Sequence, residues 1–394
     1  RTSYGMYNMI LLGSIFFSLT GTVQSDVRNF NNVGTDGKPI FVLPETRTPG
    51  SGVRGGSIGT FEFRTANQID LKPPYMNQWQ FSIDRELANN MGLRVSYIGN
   101  KSTNLPWAPD VNQMLPSTNF YANRTSLDRP FPNFGLIFSR DAGANSNYNS
   151  LQAELNRRFS KGISFTTAYT LAKNLADNAG PAPSGFAGET GGGRLTNSYD
   201  RRADRGNVYA TRRHRFVSTL VYELPVGKGR KFGSDMHPVA NAIVGGWQVS
   251  SIIRFGSGLP LGFTAPNTLS NYGVQVQRPN VADLKSAAID NPTPDRWFNT
   301  AAFTAPSTYA MGNAPRWIPN IRFGPTNHAD LAILKNFRFM EHIKAQFRAE
   351  MFNFTNTPQF GRANTTFNDP NFGKVTGTTN IGARNVQLGL RLQF

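Results

Sequence analysis

The sequence contains no cysteine among its 394 residues. Disulfide frameworks, thiolate catalysis and cysteine-ligated zinc sites are therefore excluded. A zero count does not identify a redox compartment, although an oxidising one is compatible with it.

Acidic residues are scarce relative to basic ones. The chain has 24 Asp and Glu against 41 Lys and Arg, a net charge of +17 and a pI near 10.3. Such a basic balance suits nucleic acid, anionic lipid or lipopolysaccharide, or an anionic substrate. The alternative is that this is a basic part of a larger and more balanced chain.

Long apolar runs are also missing. The most apolar stretch, residues 4–19, is shorter than the roughly 20 residues that a transmembrane helix needs. We expect a strand followed by a short apolar segment there, with the core of a signal peptide as the alternative. The mean hydropathy of −0.39 is typical of a soluble protein. That indication is weak, because a barrel strand is apolar only at every second position.

The sequence offers little that points to catalysis or to metal binding. Its four histidines form no pair four residues apart and no H-E-x-x-H motif; they are His214, His237, His328 and His342. No spacing among the acidic residues singles out a catalytic pair. We therefore predict no catalytic residues, no metal site and no cofactor, and a protein that is not an enzyme.

Phenylalanine, glycine and proline are abundant. The chain has 30 Phe, 38 Gly and 25 Pro. Aromatic residues favour strands, whereas glycine and proline favour turns and loops. The composition therefore favours an all-β fold with many connections.

The last nine residues alternate strictly between apolar side chains and others. Apolar side chains stand at positions 386, 388, 390, 392 and 394, with Gln, Gly, Arg and Gln between them. In a strand this pattern places the two sets on opposite faces. It is typical of an outer-membrane barrel strand, and also of a strand buried at the edge of a soluble sheet.

Eight further segments have strand-like patterns. We predict strands at about 76–87, 92–98, 148–158, 163–171, 214–224, 246–255, 328–337 and 343–353, and one or two more within residues 1–70. The alternation is poor at 328–337, for which we expect a β-bulge.

The connections between these strands alternate short and long. Short periplasmic turns and long extracellular loops are the signature of a membrane barrel, and strands of about 9–11 residues match a tilted crossing. We therefore predict an all-β, antiparallel transmembrane β-barrel in a bacterial outer membrane. It would be partial, with about ten strands, long extracellular loops and short periplasmic turns.

Nine short segments carry a resemblance to a known family. They are Pro74–Ile83, Tyr148–Gln152, Arg213–Val217, Glu223–Gly229, Gly246–Val249, Ser257–Pro260, Trp297–Phe303, Asp330–Phe337 and Arg348–Asn356. In these segments and in its terminal Phe394, the chain resembles the barrel portion of TonB-dependent outer-membrane receptors, and most closely the Oar-like type. The resemblance covers roughly residues 1–394.

The resemblance implies energised uptake, or secretion-linked passage, of a large substrate across the outer membrane. It implies that residues 1–394 are the C-terminal part of the barrel domain, without the plug and the N-terminal regulatory-like domain. The implied partners are the protein's own plug, the inner-membrane TonB-type motor, the barrel assembly machinery, outer-membrane lipid and lipopolysaccharide, and an unknown transported substrate. The nature of that substrate is left open.

Three groups of residues are candidates for function. Leu388, Leu390, Leu392 and Phe394 resemble the C-terminal signal read by the barrel assembly machinery, and ordinary strand burial is the alternative. The alternation of apolar and polar residues along the strands predicts that five polar side chains line the lumen: Gln152, Glu154, Gln346, Arg348 and Glu350. A basic cluster is expected at a loop or at the barrel rim: Arg201, Arg202, Arg205, Arg212, Arg213 and Arg215.

The basic cluster has three interpretations. Structural or rim contacts with acidic loop residues or lipopolysaccharide phosphate are favoured over contact with an anionic ligand. Nucleic-acid binding is the weakest interpretation, since few aromatics are interleaved and Asp200 and Asp204 partly neutralise the run. We therefore predict no nucleic-acid partner.

Four aromatic residues are expected at the membrane interface or on the sheet surface, with a sugar-stacking platform as the alternative: Trp79, Tyr97, Trp247 and Phe394.

The alternative function for the whole chain is that of a secreted, soluble β-rich adhesin or carbohydrate-binding module. It would bury its apolar faces against each other in a sandwich.

Overall fold

We describe the protein from a computed structural model. It defines residues 1–8, 65–67, 70–88, 90–107, 109–114, 128–132, 137–177, 196–208, 211–269, 272–274, 276–338, 344–379 and 382–394. Within these ranges, no helix has the length and apolar character needed to cross a membrane.

Strands make up most of the described chain. They are β1 (Thr2–Asn8), β2 (Thr65–Asn67), β3 (Tyr75–Ala88), β4 (Met91–Trp107), β5 (Phe138–Ser160), β6 (Ile163–Ala176), β7 (Gly206–Asn207), β8 (His214–Glu223), β9 (Trp247–Gly256), β10 (Pro260–Leu261), β11 (Asn280–Val281), β12 (Phe303–Thr304), β13 (Ile318–Arg322), β14 (Thr326–Arg338), β15 (Lys344–Phe352) and β16 (Asn385–Gln393).

The helices of the described chain are short. Two are α-helices, α1 (Pro238–Val244) and α2 (Leu284–Ala287), and two are 3₁₀ turns (Arg201–Asp204 and Thr300–Ala302). Each begins with a side chain that accepts a backbone N–H, as helix N-caps do; these are Asp200, His237, Asp283 and Asn299.

Ten strands form one antiparallel meander. Their order in the sheet is β1-β3-β4-β5-β6-β8-β9-β14-β15-β16, and β2 and β7 bring the sheet to 12 strands. Neighbours along this path are joined in chain order, with no long-range crossover, which is the topology of an up-and-down barrel. Among the described residues β1 and β16 do not pair with each other, so the sheet is open.

The pairing register places the two sets of alternating side chains on separate faces across the whole sheet. One set runs from Tyr97 through Leu151 and Leu171, and reappears in Val249, Ile333, Ala349 and Leu388. We call this side the apolar face. The other side, the polar face, carries Arg94 opposite Glu154 and Asn336 opposite Gln346.

Among the described residues, no second layer covers the apolar face. Leu388, Leu390 and Leu392 are exposed by 70%, 67% and 60%, and Phe81, Ile83 and Leu151 are also exposed. A soluble sandwich would have buried these side chains against a second sheet. An uncovered apolar face of this kind is typical of barrel strands that contact lipid.

The short connections have compact turn geometry. Lys161 and Gly162 link β5 to β6 with φ of 54° and 83°, as both central residues of a type I′ hairpin require. Asn90, in the β3–β4 turn, also has a positive φ of 63°. These connections lie at one end of the sheet, and the long ones lie at the other.

The apolar core lies in the long connections rather than in the sheet. Its members all belong to the β9–β14 and β15–β16 connections: Leu261, Phe263, Val281, Ala287, Trp297, Phe298, Ala302, Phe303, Ala314, Ile318, Ile321, Ala363 and Val375. Two short strand pairs, β10–β13 and β11–β12, brace this region. We use the term loop cap for the described residues of the connections β4–β5, β6–β8, β9–β14 and β15–β16.

All nine strands predicted from about residue 76 onward are present, and β1 confirms a strand near the start. The remainder of the apolar stretch, residues 9–19, lies outside the described residues. Several strands are longer than predicted, above all β4 with 17 residues and β5 with 23. Asn, Gly and Pro made 99–147 look like loop, but ladder pairing continues to Trp107 opposite Asp141, with register shifts on either side of Leu105.

The prediction of a β-bulge at 328–337 is wrong. The pairing of β14 with β9 and with β15 proceeds without a register shift. The alternation is poor because Leu334 stands on the polar face and Lys335 on the apolar face. Lys335 is nevertheless buried, because α1 lies against it.

Candidate functional site: the polar face and the loop cap

The predicted lumen residues share one face. Through the strand register, Gln152 and Glu154 of β5 lie on the same side of the sheet as Gln346, Arg348 and Glu350 of β15. The two groups occupy different strands several positions apart in the sheet order. They therefore contribute to one surface but not to one compact site.

The polar face carries opposite charges next to one another, both between strands and along a strand. Arg94 of β4 lies between Asp84 of β3 and Glu154 of β5, and its Nε is 2.5 Å from Asp84 Oδ1. Further along the sheet, Arg348 Nη2 is 2.6 Å from Glu350 Oε1. Exposed ion pairs of this kind contribute little stability, so they mark a charged surface and not a structural lock.

A charged recess marks the short-connection end of this face. It has a volume of about 400 Å³, and its lining includes Asp84, Glu86, Arg94, Asn156 and Arg158. Both signs of charge are present, so the recess can pair with polar groups of either sign.

At the opposite end, Asp330 of β14 joins the sheet to the loop cap. Its Oδ1 accepts the backbone N–H of Asn353 at 3.0 Å and lies 2.8 Å from His328 Nε2. Its Oδ2 lies 3.2 Å from Arg254 Nη2 on β9. One carboxylate therefore ties two strands to the start of the β15–β16 connection.

Asn353 extends this junction into the loop. It is 3% exposed, adopts a φ of 49°, and its side chain bonds to Thr357 and to the carbonyl of Gly382. Asparagine tolerates the left-handed region better than most residues and can bond its own backbone. This explains the residue type at that position.

The four long connections are joined to one another. Gln113 bonds to Thr196 and Ser198 and so joins β4–β5 to β6–β8. Met114 N donates to Tyr272 O, which reaches β9–β14. Trp297 N donates to Gly373 O at 2.7 Å, which reaches β15–β16. The loop cap is therefore a folded unit.

Phenylalanine packing holds the centre of the loop cap. Phe263 stacks on Phe303 with ring centroids 4.5 Å apart, and Phe298 meets Phe372 edge-on at 5.1 Å. Two of these residues belong to the segment Trp297–Phe303, which carries part of the sequence resemblance. In the fold that segment supplies core packing.

A buried ion pair lies between two of these connections. Arg278 and Asp204 are 5% and 0% exposed at their side chains and bond directly. The sequence analysis did not identify Arg278, because in the sequence it is a single arginine in a long loop with no motif around it. It had noted Asp204 only as a charge that offsets the neighbouring arginines.

Asp110 is a second buried carboxylate in the loop cap. Its Oδ1 accepts the backbone N–H groups of Asn112 and Ile137 at 3.0 and 2.9 Å, while Oδ2 has no hydrogen-bond partner among the described residues. Burial raises the pKa of Asp110 to about 6, against the opposing effect of those backbone bonds and of Arg129. Burial also raises the pKa of nearby Tyr199.

The six arginines of the predicted basic cluster lie at the junction of the loop cap and the sheet. Arg201 pairs with Asp177 at 3.0 Å and lies over the Trp107 ring at 5.3 Å. Arg212 Nη1 donates to Ser257 O at 2.6 Å. Arg202, Arg205, Arg213 and Arg215 are exposed. The cluster therefore divides into two residues that hold loops and four that face the surroundings.

The terminal strand presents its predicted assembly residues outward. Leu388, Leu390 and Leu392 lie on the apolar face, and Phe394 is 98% exposed beyond the end of β16. Trp79, Tyr97 and Trp247 also lie on the apolar face. That position favours a membrane interface over a sugar platform inside the barrel.

Comparison with known proteins agrees with this architecture. The family described as "Outer membrane beta barrel domain" matches residues 1–387. No curated protein sequence matches the chain.

Three solved structures illustrate the structural similarity. The outer membrane transporter YddB from Escherichia coli is 9% identical with a TM-score of 0.41, and the alignment covers 86% of this chain and 34% of that one. The siderophore receptor PiuA from Acinetobacter baumannii is 9% identical with a TM-score of 0.39, over 82% and 28%. The FrpB iron transporter from Neisseria meningitidis is 10% identical with a TM-score of 0.33, over 83% and 32%.

The chain thus spans about a third of the length of these solved structures. The family match covers nearly the whole chain, and the uncovered apolar face fits a bilayer. The chain belongs to the outer membrane β-barrel domain family and is a protein of the bacterial outer membrane.

Proposed function

We propose that this chain is the substrate-selecting barrel portion of a TonB-dependent receptor of the Oar-like type, and that it serves energised passage of a large substrate. The observation that carries the proposal is the pairing of a charged polar face with a folded loop cap at one end of it. A passive pore needs only a wet lumen. Four long connections that are joined by hydrogen bonds, two of them around a common apolar core, are suited to recognising one ligand.

The polar face supports the part of the proposal that concerns a plug. Arg94, Glu154, Arg348 and Glu350 form a hydrated wall with mixed charges, which a second folded domain inside the barrel could contact through polar pairs. Weak, exposed pairs suit an inner domain that must move, because each is broken at small cost. The plug and the inner-membrane motor remain proposed partners.

The exposed arginines support an anionic surface as a further partner. Arg202, Arg205, Arg213 and Arg215 are exposed where the loop cap meets the sheet, and Arg215 lies on the polar face. Lipopolysaccharide phosphate or an anionic substrate could bind such guanidinium groups. Recognition of the terminal strand by the barrel assembly machinery is also part of the proposal.

The test is energy-dependent uptake by cells. A deletion strain and the complemented strain take up a panel of labelled iron chelates, oligosaccharides and peptides, with and without a protonophore that collapses the inner-membrane potential. We expect deletion to abolish uptake of one class, and the protonophore to abolish the same uptake in the complemented strain. Uptake that needs the protein but ignores the protonophore would show a passive pore and overturn the proposal.

A further inference from the structure

The connection between β8 and β9 contains a helix, α1, that exposes its apolar side chains and turns its one polar side chain toward the protein. In α1, Asn241 turns its side chain toward the protein, where Oδ1 accepts the backbone N–H of Lys228 at 2.7 Å. Val239, Ile243 and Val244 are exposed by 64%, 66% and 41%. A helix on a soluble surface would show the opposite arrangement, with apolar residues inward.

Three hydrogen bonds attach the end of α1 to the apolar face of the sheet. Trp247 Nε1 donates to the carbonyl of Ile243 at 2.9 Å. Lys335 Nζ donates to the same carbonyl at 3.2 Å and to the carbonyl of Gly245. Both donors belong to the apolar face through the register Lys335 opposite Trp247. The exposed apolar residues of α1 are therefore continuous with the lipid-facing surface.

Lys335 is the residue that makes this attachment possible. It is 3% exposed, and its ammonium lies 5.2 Å from the ring centroids of both Trp247 and Phe337. A lysine facing lipid is unfavourable unless its charge is satisfied. The last carbonyls of a helix carry partial negative charge, so α1 supplies that partner.

The charge of the connection fits a phospholipid leaflet. Lys228 and Lys231 are exposed in the segment that precedes α1, and Phe232 beside them is also exposed. Arg230 is paired with Glu223 at 3.0 Å. An apolar helix preceded by exposed lysines, which outnumber the one exposed acid Asp235 in the same segment, resembles helices that lie in the membrane interface.

We infer that α1 and the segment Lys228–Phe232 form an interfacial anchor that inserts into the periplasmic leaflet of the outer membrane, with Lys335 fixing its depth. The short connections of outer-membrane barrels face the periplasm, and this connection lies at that end. The anchor is separate from the loop cap and does not depend on the proposed transport.

Single-cysteine spin labelling tests the anchor, because the sequence has no cysteine to remove. The whole protein, in native outer-membrane vesicles, carries a nitroxide at Ile243→Cys. Matched labels stand at Leu390→Cys on the apolar face and at exposed Asp290→Cys in the loop cap. Power saturation compares collisions with lipid-soluble oxygen and with water-soluble nickel-EDDA.

We expect the label at 243 to resemble the label at 390, with oxygen collisions exceeding nickel-EDDA collisions several-fold. A label at 243 that resembles the one at 290 would place α1 in water and overturn the inference. A label screened from both reagents would show that a protein covers α1, which would also overturn it.

Lys335→Gln tests the positioning role, with Lys344→Gln on the polar face as its control. The Lys335 variant should make the label at 243 more mobile and reduce its oxygen preference, while the Lys344 variant should change neither. An unchanged label in Lys335→Gln would show that the lysine does not set the depth of the helix.

Discussion

The guanidinium of Arg278 and the carboxylate of Asp204 form an ion pair inside the loop cap, although 74 residues separate them in the chain. Asp204 also accepts the backbone N–H of Thr196. The pair joins the β9–β14 connection to the β6–β8 connection, which no strand pairing joins within the described parts of the two loops.

We expect Arg278→Met to destabilise the loop cap by about 3–5 kcal/mol, because an uncompensated carboxylate would stay buried. Hydrogen exchange of the cap amides should rise over residues 196–208 and 276–281 while the strand amides stay protected. Arg296→Met, at an exposed position of the same connection, is the control and should leave exchange unchanged. Equal exchange in both variants would mean that the pair does not hold the loops.

The loop cap should also depend on pH through Asp110. Burial raises the pKa of Asp110 from 3.8 to about 6, so the packed cap binds this proton more tightly than an unfolded loop does. Protonation therefore stabilises packing. The stabilisation is complete below about pH 4, falls as the pH rises from about 4 to 6, and is absent above that range.

Limited proteolysis of the cap between pH 4 and pH 7.5 measures this dependence. Cleavage should rise through that window in the unaltered protein, and the rise should be much smaller in Asp110→Asn, which keeps an oxygen for the N–H groups of Asn112 and Ile137. Asp290→Asn, at an exposed site, controls for other titrating groups. The same pH profile in all three proteins would exclude Asp110 as the source.

The sheet could be predicted from the sequence because its pattern is local. Each strand repeats with period two, and β15 follows that rule from Lys344 to Met351. The alternation alone therefore predicts that Gln152 and Glu154 lie on the same side of the sheet as Gln346, and the register agrees. The loop cap has no such period, since its contacts join residues far apart in sequence, such as Arg278 and Asp204.

Lys335 shows a different limit of the sequence pattern. The poor alternation over 328–337 predicts a bulge, which would turn the side chains beyond it to the other face. The register shows no such shift, and the carbonyls of Ile243 and Gly245 satisfy the ammonium instead. That partner is about 90 residues away, so no local pattern could reveal it.

Removing the Asp330 carboxylate should loosen the link between the sheet and the β15–β16 connection. Asp330→Ala takes away the acceptor for Asn353 N, His328 and Arg254. Hydrogen bonds to charged groups each contribute about 1.5–3 kcal/mol, so a loss of a few kcal/mol of local stability is expected. Hydrogen exchange at residues 353–360 should rise; Asp369→Ala, within the same connection, is the control.

Asp330→Asn refines this experiment, because an amide can still accept the Asn353 N–H but carries no charge for Arg254. Its effect should lie between those of the unaltered protein and Asp330→Ala. If both variants leave exchange at 353–360 unchanged, the carboxylate is not the element that holds this connection.

Position 99 should not tolerate a residue larger than glycine, because Trp79 lies over it. A Cβ built at Gly99 would lie 2.4 Å from Trp79 Cε2, so the indole covers the glycine on the neighbouring strand. Gly99→Val should displace the ring and lower the yield of folded, heat-modifiable protein on electrophoresis. Gly389→Val is the matched control, since a Cβ there meets only Arg348 Cβ at 4.0 Å. Equal yields would show that the indole can move at little cost.

The two faces of β16 should respond oppositely to the same charge. Leu390 lies on the apolar face opposite Phe347 and is 67% exposed, whereas Gln387 lies on the polar face opposite Glu350. An arginine facing lipid costs about 2–4 kcal/mol at the bilayer midplane, while one beside Glu350 can pair with it. Leu390→Arg should therefore reduce the amount of protein recovered in the outer-membrane fraction, and Gln387→Arg should not. Equal recovery of both variants would contradict the assignment of lipid and lumen to these faces, and with it the role proposed for Leu388, Leu390 and Leu392 in assembly.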